Sequence, residues 1–136
     1  MTGSAIALMA WFIVKHLFCD FHPKIQTPLM VMHKGTYGHP SGIAHSFVHV
    51  VASAIILLLL LPTWELAILG ETSIHLGILA GLLLFEGLAH YHMDWFKMWW
   101  NKRNEYTPAD GKFWWWLGVD QTVHYFTYVI MVIVWT

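Results

Sequence analysis

Charge is scarce in this chain. Asp, Glu, Lys and Arg make up 11% of its 136 residues, against 57% hydrophobic. Seven basic and eight acidic side chains are too few to cover the exterior of a water-soluble domain of this size, which excludes that class. The net charge of −1 leaves no basic stripe to neutralise phosphates, so nucleic acid is excluded as a partner. Cysteine is limited to Cys19. One thiol permits no internal disulfide and marks no oxidising compartment, and it reads as a small apolar filler in a helix. No Lys or Arg precedes the first apolar stretch; the earliest is Lys15. That argues for a retained membrane helix rather than a cleaved signal peptide. Internal repeats and low-complexity linkers are also missing, so residues 1–136 read as a single membrane domain.

Long apolar runs are what the chain has instead. They divide it into four spans, at about residues 4–21, 42–61, 72–100 and 113–135. Each matches the ~20 residues needed to cross ~30 Å of hydrocarbon. The third is longer, and its last turns should tilt or project into the interface. Open sheet edges are not tolerated in lipid, so the spans predict an all-α, four-helix polytopic bundle. Thr72 or Ser73 is the expected N-cap of the third span. Residues 22–41 carry Pro23, Pro28, Gly35, Gly38 and Pro40 and read as an irregular loop or re-entrant turn. Residues 101–112 are a polar connector. The short connector from Pro62 to Glu71 holds Glu65 and Glu71 and no basic residue.

All seven basic residues fall on one side of this path: Lys15, Lys24 and Lys34 around the first loop, and Lys97, Lys102, Arg103 and Lys112 around the last. The excess places both termini on the non-cytoplasmic side and both long loops in the cytoplasm. Trp95, Trp99, Trp100 and Trp114–Trp116 form an aromatic belt on that same face, with Trp64 and Trp135 at the opposite one.

Four pairs of metal-ligand side chains stand at i, i+4 spacing: His16 with Asp20, His45 with His49, His90 with Asp94, and Asp120 with His124. Such partners lie one helical turn apart on one face, close enough to share an ion. Composition alone would supply about 1.4 such pairs. There is one pair per span, and an up-down-up-down path brings all four to the cytoplasmic end of the bundle. A carboxylate near hydrocarbon costs several kcal/mol unless paired, so Asp20, Asp94 and Asp120 need partners, and a divalent cation would supply the charge. Eight side chains are too many for one tetrahedral ion, which leaves one or two ions open. Nitrogen and oxygen donors without thiolate suit Zn²⁺, Mn²⁺ or Fe²⁺ and do not select among them; Zn²⁺ is the expected ion, with Mn²⁺ and Fe²⁺ as alternatives. A metal-free His–Asp network that fixes the bundle is the competing reading.

Glu86 lies one turn before His90 on the same face and is a candidate general base. Lys97 is a candidate contact for an anionic substrate, and Gln121 and Gln26 are candidate partners behind the ligands. His75 lies near the outer end of span three and reads as structural. His22, His33 and His39 read as solvated loop residues, and Tyr91 and His92 lie off the His90–Asp94 face. The seven methionines are dispersed and read as packing.

In order, the segments His16–Phe21, Gln26, His45–His49, His90–Lys97 and Asp120–His124 spell H-x3-D-F, a downstream Gln, H-x3-H, H-x3-D-x2-K and D-Q-x2-H. This order resembles a family of small bacterial and phage integral-membrane proteins of unknown function, over most of the chain. It is more loosely similar to predicted membrane-bound metal-dependent hydrolases. Gln26 stands farther from Asp20 than that resemblance leads one to expect. The resemblance implies a metal-dependent hydrolase in the inner membrane of a bacterial cell, acting on a lipid or other anionic substrate at the cytoplasmic face. Three alternatives stand beside it: a redox metal protein, a metal or proton transporter, and a non-catalytic scaffold or phage host-takeover factor. The Glu-x-x-His motif of di-iron bundles is absent, and transport sites favour the bilayer midplane. Substrate and oligomeric state are not readable from the sequence.

Overall fold

A computed structural model describes residues 3–59 and 72–136 of the protein. The described residues contain helices and turns and no strand. Five helices follow one another: α1 (Gly3–Phe21), α2 (Pro28–Met32), α3 (Pro40–Leu59), α4 (Thr72–Arg103) and α5 (Gly111–Trp135). The four long ones form a closed ring in which α1 packs on α3, α3 on α4, α4 on α5 and α5 back on α1, while α2 rests on α3.

Local chemistry sets the boundaries. Pro23 follows the end of α1, where a proline ring disfavours helix in the residue before it. Both α2 and α3 begin on a proline, Pro28 and Pro40, at the position where the missing N–H would have had no intrahelical partner. Helix α4 is already formed at Thr72, so Ser73 lies inside it rather than capping it. The residues expected to form the second connector, from Pro62 to Glu71, and Trp64 with them, lie outside the described residues.

All four long helices are long and apolar enough to cross a membrane. At 1.5 Å per residue, the 32 residues of α4 reach about 48 Å, well beyond the ~30 Å of hydrocarbon. Its last turns, with the first turns of α5, therefore project past the end of the α1–α3 hairpin. The segment from His22 to His39 fills the step so formed. Gly35 sits against α4 so closely that a Cβ would come within 3.3 Å of Met98 C and Trp99 N. Gly38 adopts φ 77°, a conformation glycine takes without a steric penalty, and donates its N–H to Tyr91 Oη at 2.6 Å. Tyr37 in turn meets His92 Nε2 at 3.1 Å and stacks edgewise on Trp95. Tyr91 and His92, off the ligand face of α4, are thus among the residues that pin this loop.

The exterior is apolar: Ile6, Leu17, Phe47, Ile55, Leu84, Leu88, Phe126 and Ile133 are all exposed, as lipid-facing positions require. The interior has two halves. Toward the termini it is a hydrophobic core of Ala5, Leu8, Phe12, Leu57, Leu79, Leu82, Tyr128, Met131 and Val132. Toward the long loops it is polar, and there the buried side chains are Lys15, His16, Lys34, His45, Ser46, His49, Ser53, Glu86, His90, Asp94, Asp120 and His124.

Candidate metal centre

Helical spacing builds the polar half. On α1 the buried positions Ala5, Leu8, Phe12, Lys15, His16 and Cys19 repeat at three and four residues, one continuous stripe facing the ring's interior. On α3 the stripe is Gly42, His45, Ser46, His49, Ser53 and Leu57. On α5 it is Asp120, His124, Thr127, Tyr128, Met131 and Val132. Helix α4 adds Glu86, His90 and Asp94. All eight sequence-predicted ligands meet in one cluster, drawn from four helices.

Their geometry singles out two groups. Asp20, His45, His49 and His90 each offer one ligand atom within 4.8 Å of the others, and His90, Asp94 and His124 form a second such set. In the first, Asp20 Oδ1 lies 2.9 Å from His45 Nε2, 3.3 Å from His49 Nε2 and 3.8 Å from His90 Nε2. His45 Nε2 and His90 Nε2 are 3.0 Å apart. A tetrahedral zinc ion with bonds of 2.0–2.1 Å sets its donors about 3.3–3.4 Å from one another. These separations bracket that edge length. The donor set, three imidazole nitrogens and one carboxylate oxygen, matches zinc's ordinary chemistry.

Packing, more than hydrogen bonding, orients these imidazoles. The Nδ1 atoms of His45, His49 and His90 are buried without a hydrogen-bond partner. The rings are instead stacked, with His90 between His49 (centroids 3.7 Å) and His124 (4.0 Å). Support behind the ligands falls on the carboxylate. Gln26 Nε2 donates to Asp20 Oδ1 at 3.4 Å. It reaches back because a turn, Ile25 N–H and Gln26 N–H both to His22 O at 2.9 Å, folds the intervening residues out of the way.

His16 lies behind Asp20 and contacts protein through both ring nitrogens. Gln121 Nε2 donates to Asp120 Oδ2 at 3.0 Å, which fixes its amide so that Oε1 faces His16 Nε2 at 2.7 Å. An amide oxygen only accepts, so Nε2 carries the proton. The same N–H lies 3.1 Å from Asp20 Oδ2. Nδ1 is then the acceptor for the Tyr128 hydroxyl, 3.0 Å away. Both ring nitrogens of His16 are therefore engaged by protein.

Three of the seven basic residues point into the bundle. Lys15 pairs with Glu86 and donates to Ser53 Oγ at 3.0 Å and His49 O at 3.4 Å. Lys34 Nζ lies 2.9 Å from Asp94 Oδ2. Lys97 Nζ bridges Asp94 Oδ1 at 3.2 Å and Asp120 Oδ2 at 2.7 Å. Lys24, Lys102, Arg103 and Lys112 remain exposed. Each buried acid of the cluster, among the described residues, thus has an ammonium partner except one. Among the described residues, Asp20 is met by imidazoles and an amide only.

Sequence reasoning did not place Lys15, Lys34, Ser53 or Tyr128 here. Lys15 was legible as a member of the α1 stripe, and Tyr128 as the next i+4 step after Asp120 and His124. Nothing local marks Lys34, whose position depends on how the loop docks. Of the remaining histidines, His33 and His39 stack on each other at 4.3 Å, His22 accepts from Lys24 N–H, and His75 lies in the first turns of α4, at the far end from the cluster.

Comparison with curated proteins and with solved structures finds no match. A family model, by contrast, matches residues 8–136, carrying the description protein of unknown function, DUF3307. The match spans all four apolar helices and every residue of the cluster, and the chain belongs to the DUF3307 family.

Proposed function

We propose that the protein is an integral-membrane metal protein that holds one divalent ion through Asp20, His45, His49 and His90. We further propose that the ion serves hydrolysis of a membrane-associated or otherwise anionic substrate at the cytoplasmic face of the bacterial inner membrane. The observation that carries the reading is the Asp20 carboxylate, buried among three imidazole nitrogens at distances that bracket a tetrahedral edge and, among the described residues, paired with no ammonium. The other carboxylate near these imidazoles, Asp94, is paired with Lys34 and Lys97. Zinc is favoured over manganese and iron, since three nitrogen donors and one oxygen suit it, while manganese prefers more oxygen. A divalent ion there supplies Lewis acidity toward a phosphoryl or acyl oxygen.

The residues around it have separable parts in this reading. His16 and Gln26 hold Asp20 in place, and Gln121 links that arm to Asp120. We assign Glu86 to balancing Lys15 and Lys97 to balancing Asp94 and Asp120. Lys97 is also the most exposed of the three inward lysines, at 13% of its side chain, and so the one an anion entering from the loops would meet first. The four exposed basic residues all lie at the loop end, which supports that end as cytoplasmic and both termini as external.

Elemental analysis of the detergent-purified protein tests the core of this. Near-stoichiometric zinc, lost in His49→Ala, is the expected result; a metal-free wild type would end the proposal. Metal-dependent turnover of p-nitrophenyl phosphate or an acyl p-nitrophenyl ester in mixed micelles tests the hydrolytic part. A second reading, a non-catalytic metal staple that fixes four helices, is favoured by the near-complete burial of all five histidines. It is the outcome if metal is stoichiometric and no metal-dependent turnover is found.

A further inference from the structure

Beside the second ligand group, Asp120 approaches His124, and the space between Asp94 and Asp120 has an occupant of its own. Lys97 Nζ lies 2.7 Å from Asp120 Oδ2 and 3.2 Å from Asp94 Oδ1, between α4 and α5. His124 Nε2 faces the same carboxylates, 3.2 Å from Asp120 Oδ1 and 3.9 Å from Asp94 Oδ1. Yet Asp120 Oδ1 and His124 Nε2 are both buried and complete no hydrogen bond. Two carboxylates and one imidazole converge there as ligands to a cation would, and the cation present is an ammonium from the chain itself.

We propose that Lys97 occupies the position of a second metal ion formed by Asp94, Asp120 and His124, and so holds the centre at a single ion. The proposal rests on the first position being a metal site and adds what limits its stoichiometry. His90 sits between the two positions, stacked on His49 to one side and His124 to the other. It belongs to both sets, with Asp20, His45 and His49 on one side and with Asp94 and His124 on the other, but one lone pair serves one ion. The first position keeps it, because there it completes a four-ligand set. The second is left with three protein ligands, the number typical of a metal position that retains an open site. An ammonium has half the charge of a divalent ion and a longer contact distance, but it is part of the chain and need not be recruited from solution. Its tether to α4, i+3 from Asp94, keeps its local concentration high.

The test is metal stoichiometry in purified protein equilibrated with excess Zn²⁺ or Cd²⁺ and then desalted. Wild type should hold one ion and Lys97→Met two, with His124→Ala in the Lys97→Met background returning the count to one. If Lys97→Met does not accumulate in the membrane, Lys97→Gln keeps a hydrogen-bond donor for Asp120 without the charge and should also hold two. One ion in either lysine variant overturns the proposal, as do two ions in the wild type. A wild type with no ion removes the first site instead, which separates failure of this inference from failure of the reading it rests on.

Discussion

Lys15 and Glu86 face each other inside the bundle with side chains only 3% and 1% exposed, between two helices that are long and apolar enough to cross a membrane. Desolvating both ions is expensive, and their attraction offsets the cost only while both are present. Lys15→Met alone should therefore destabilise the protein by roughly 3–5 kcal/mol, because it strands a buried carboxylate. The double variant Lys15→Met/Glu86→Leu should recover most of that loss. Thermal unfolding in detergent, followed for the two singles and the double, measures it. Equal and additive losses would mean that the pair is not coupled.

Lys15 also shows what the sequence could and could not reveal. Four helices of nearly the right length followed from apolar runs alone, because lipid demands them whatever the interior does. The convergence of His16, Asp20, His45, His49, His90, Asp94, Asp120 and His124 followed from i, i+4 pairs placed at alternating span ends, since helical geometry and antiparallel connection leave few other outcomes. Lys97 was legible beside the ligands through its spacing from Asp94, whereas Lys15 and Lys34 were counted only by side, and a count by side takes no account of which way a side chain points. Lys15 lies on the buried stripe of α1, so periodicity weighed against the charge count would have found it. Lys34 and the return of Gln26 to Asp20 depend on loop docking, and no periodic pattern encodes that.

In the proposed reading His16 is a support for Asp20 and not a ligand. Its Nε2 proton goes to Gln121 and Asp20, and its Nδ1 accepts from Tyr128. His16→Ala should then keep a single ion but weaken its binding by 10–100-fold, the usual effect of losing a partner behind a ligand. His49→Ala should abolish binding outright. Competition against a chelator of known affinity distinguishes the two. Complete loss of metal from His16→Ala would make His16 a ligand.

Gly35 controls the roof over the cluster. Its neighbours Met98 C and Trp99 N are backbone atoms, which cannot rotate away from an added methyl as a side-chain tip could. Gly35→Ala should lift the loop from α4 and draw Lys34 away from Asp94. The expected readout is faster proteolytic cleavage between residues 22 and 39, with the four-helix ring intact by circular dichroism. Unchanged cleavage would show that the loop is held by Tyr37 and Gly38 alone.

Asp110 lies in the turn before α5, outside the apolar spans, where its Oδ2 accepts from Thr107 N–H at 2.8 Å and Thr107 Oγ1 at 2.9 Å. Both bonds favour the ionised carboxylate and hold its pKa below the ordinary aspartate value. A group depressed in this way adds its share of stability above the unfolded pKa of about 3.9. That share is lost as pH falls through the lower folded value. The Thr107 amide should accordingly stay protected from hydrogen exchange between neutral pH and about pH 5, and lose protection only on further acidification. In Asp110→Asn the amide should exchange faster at neutral pH, and its protection should no longer vary with pH over the acidic range. A wild-type Thr107 amide already unprotected at neutral pH would remove the turn from this account. The candidate metal centre lies apart from the turn, since the first cluster residue on α5, Asp120, is ten residues beyond Asp110, so metal content should not change in Asp110→Asn.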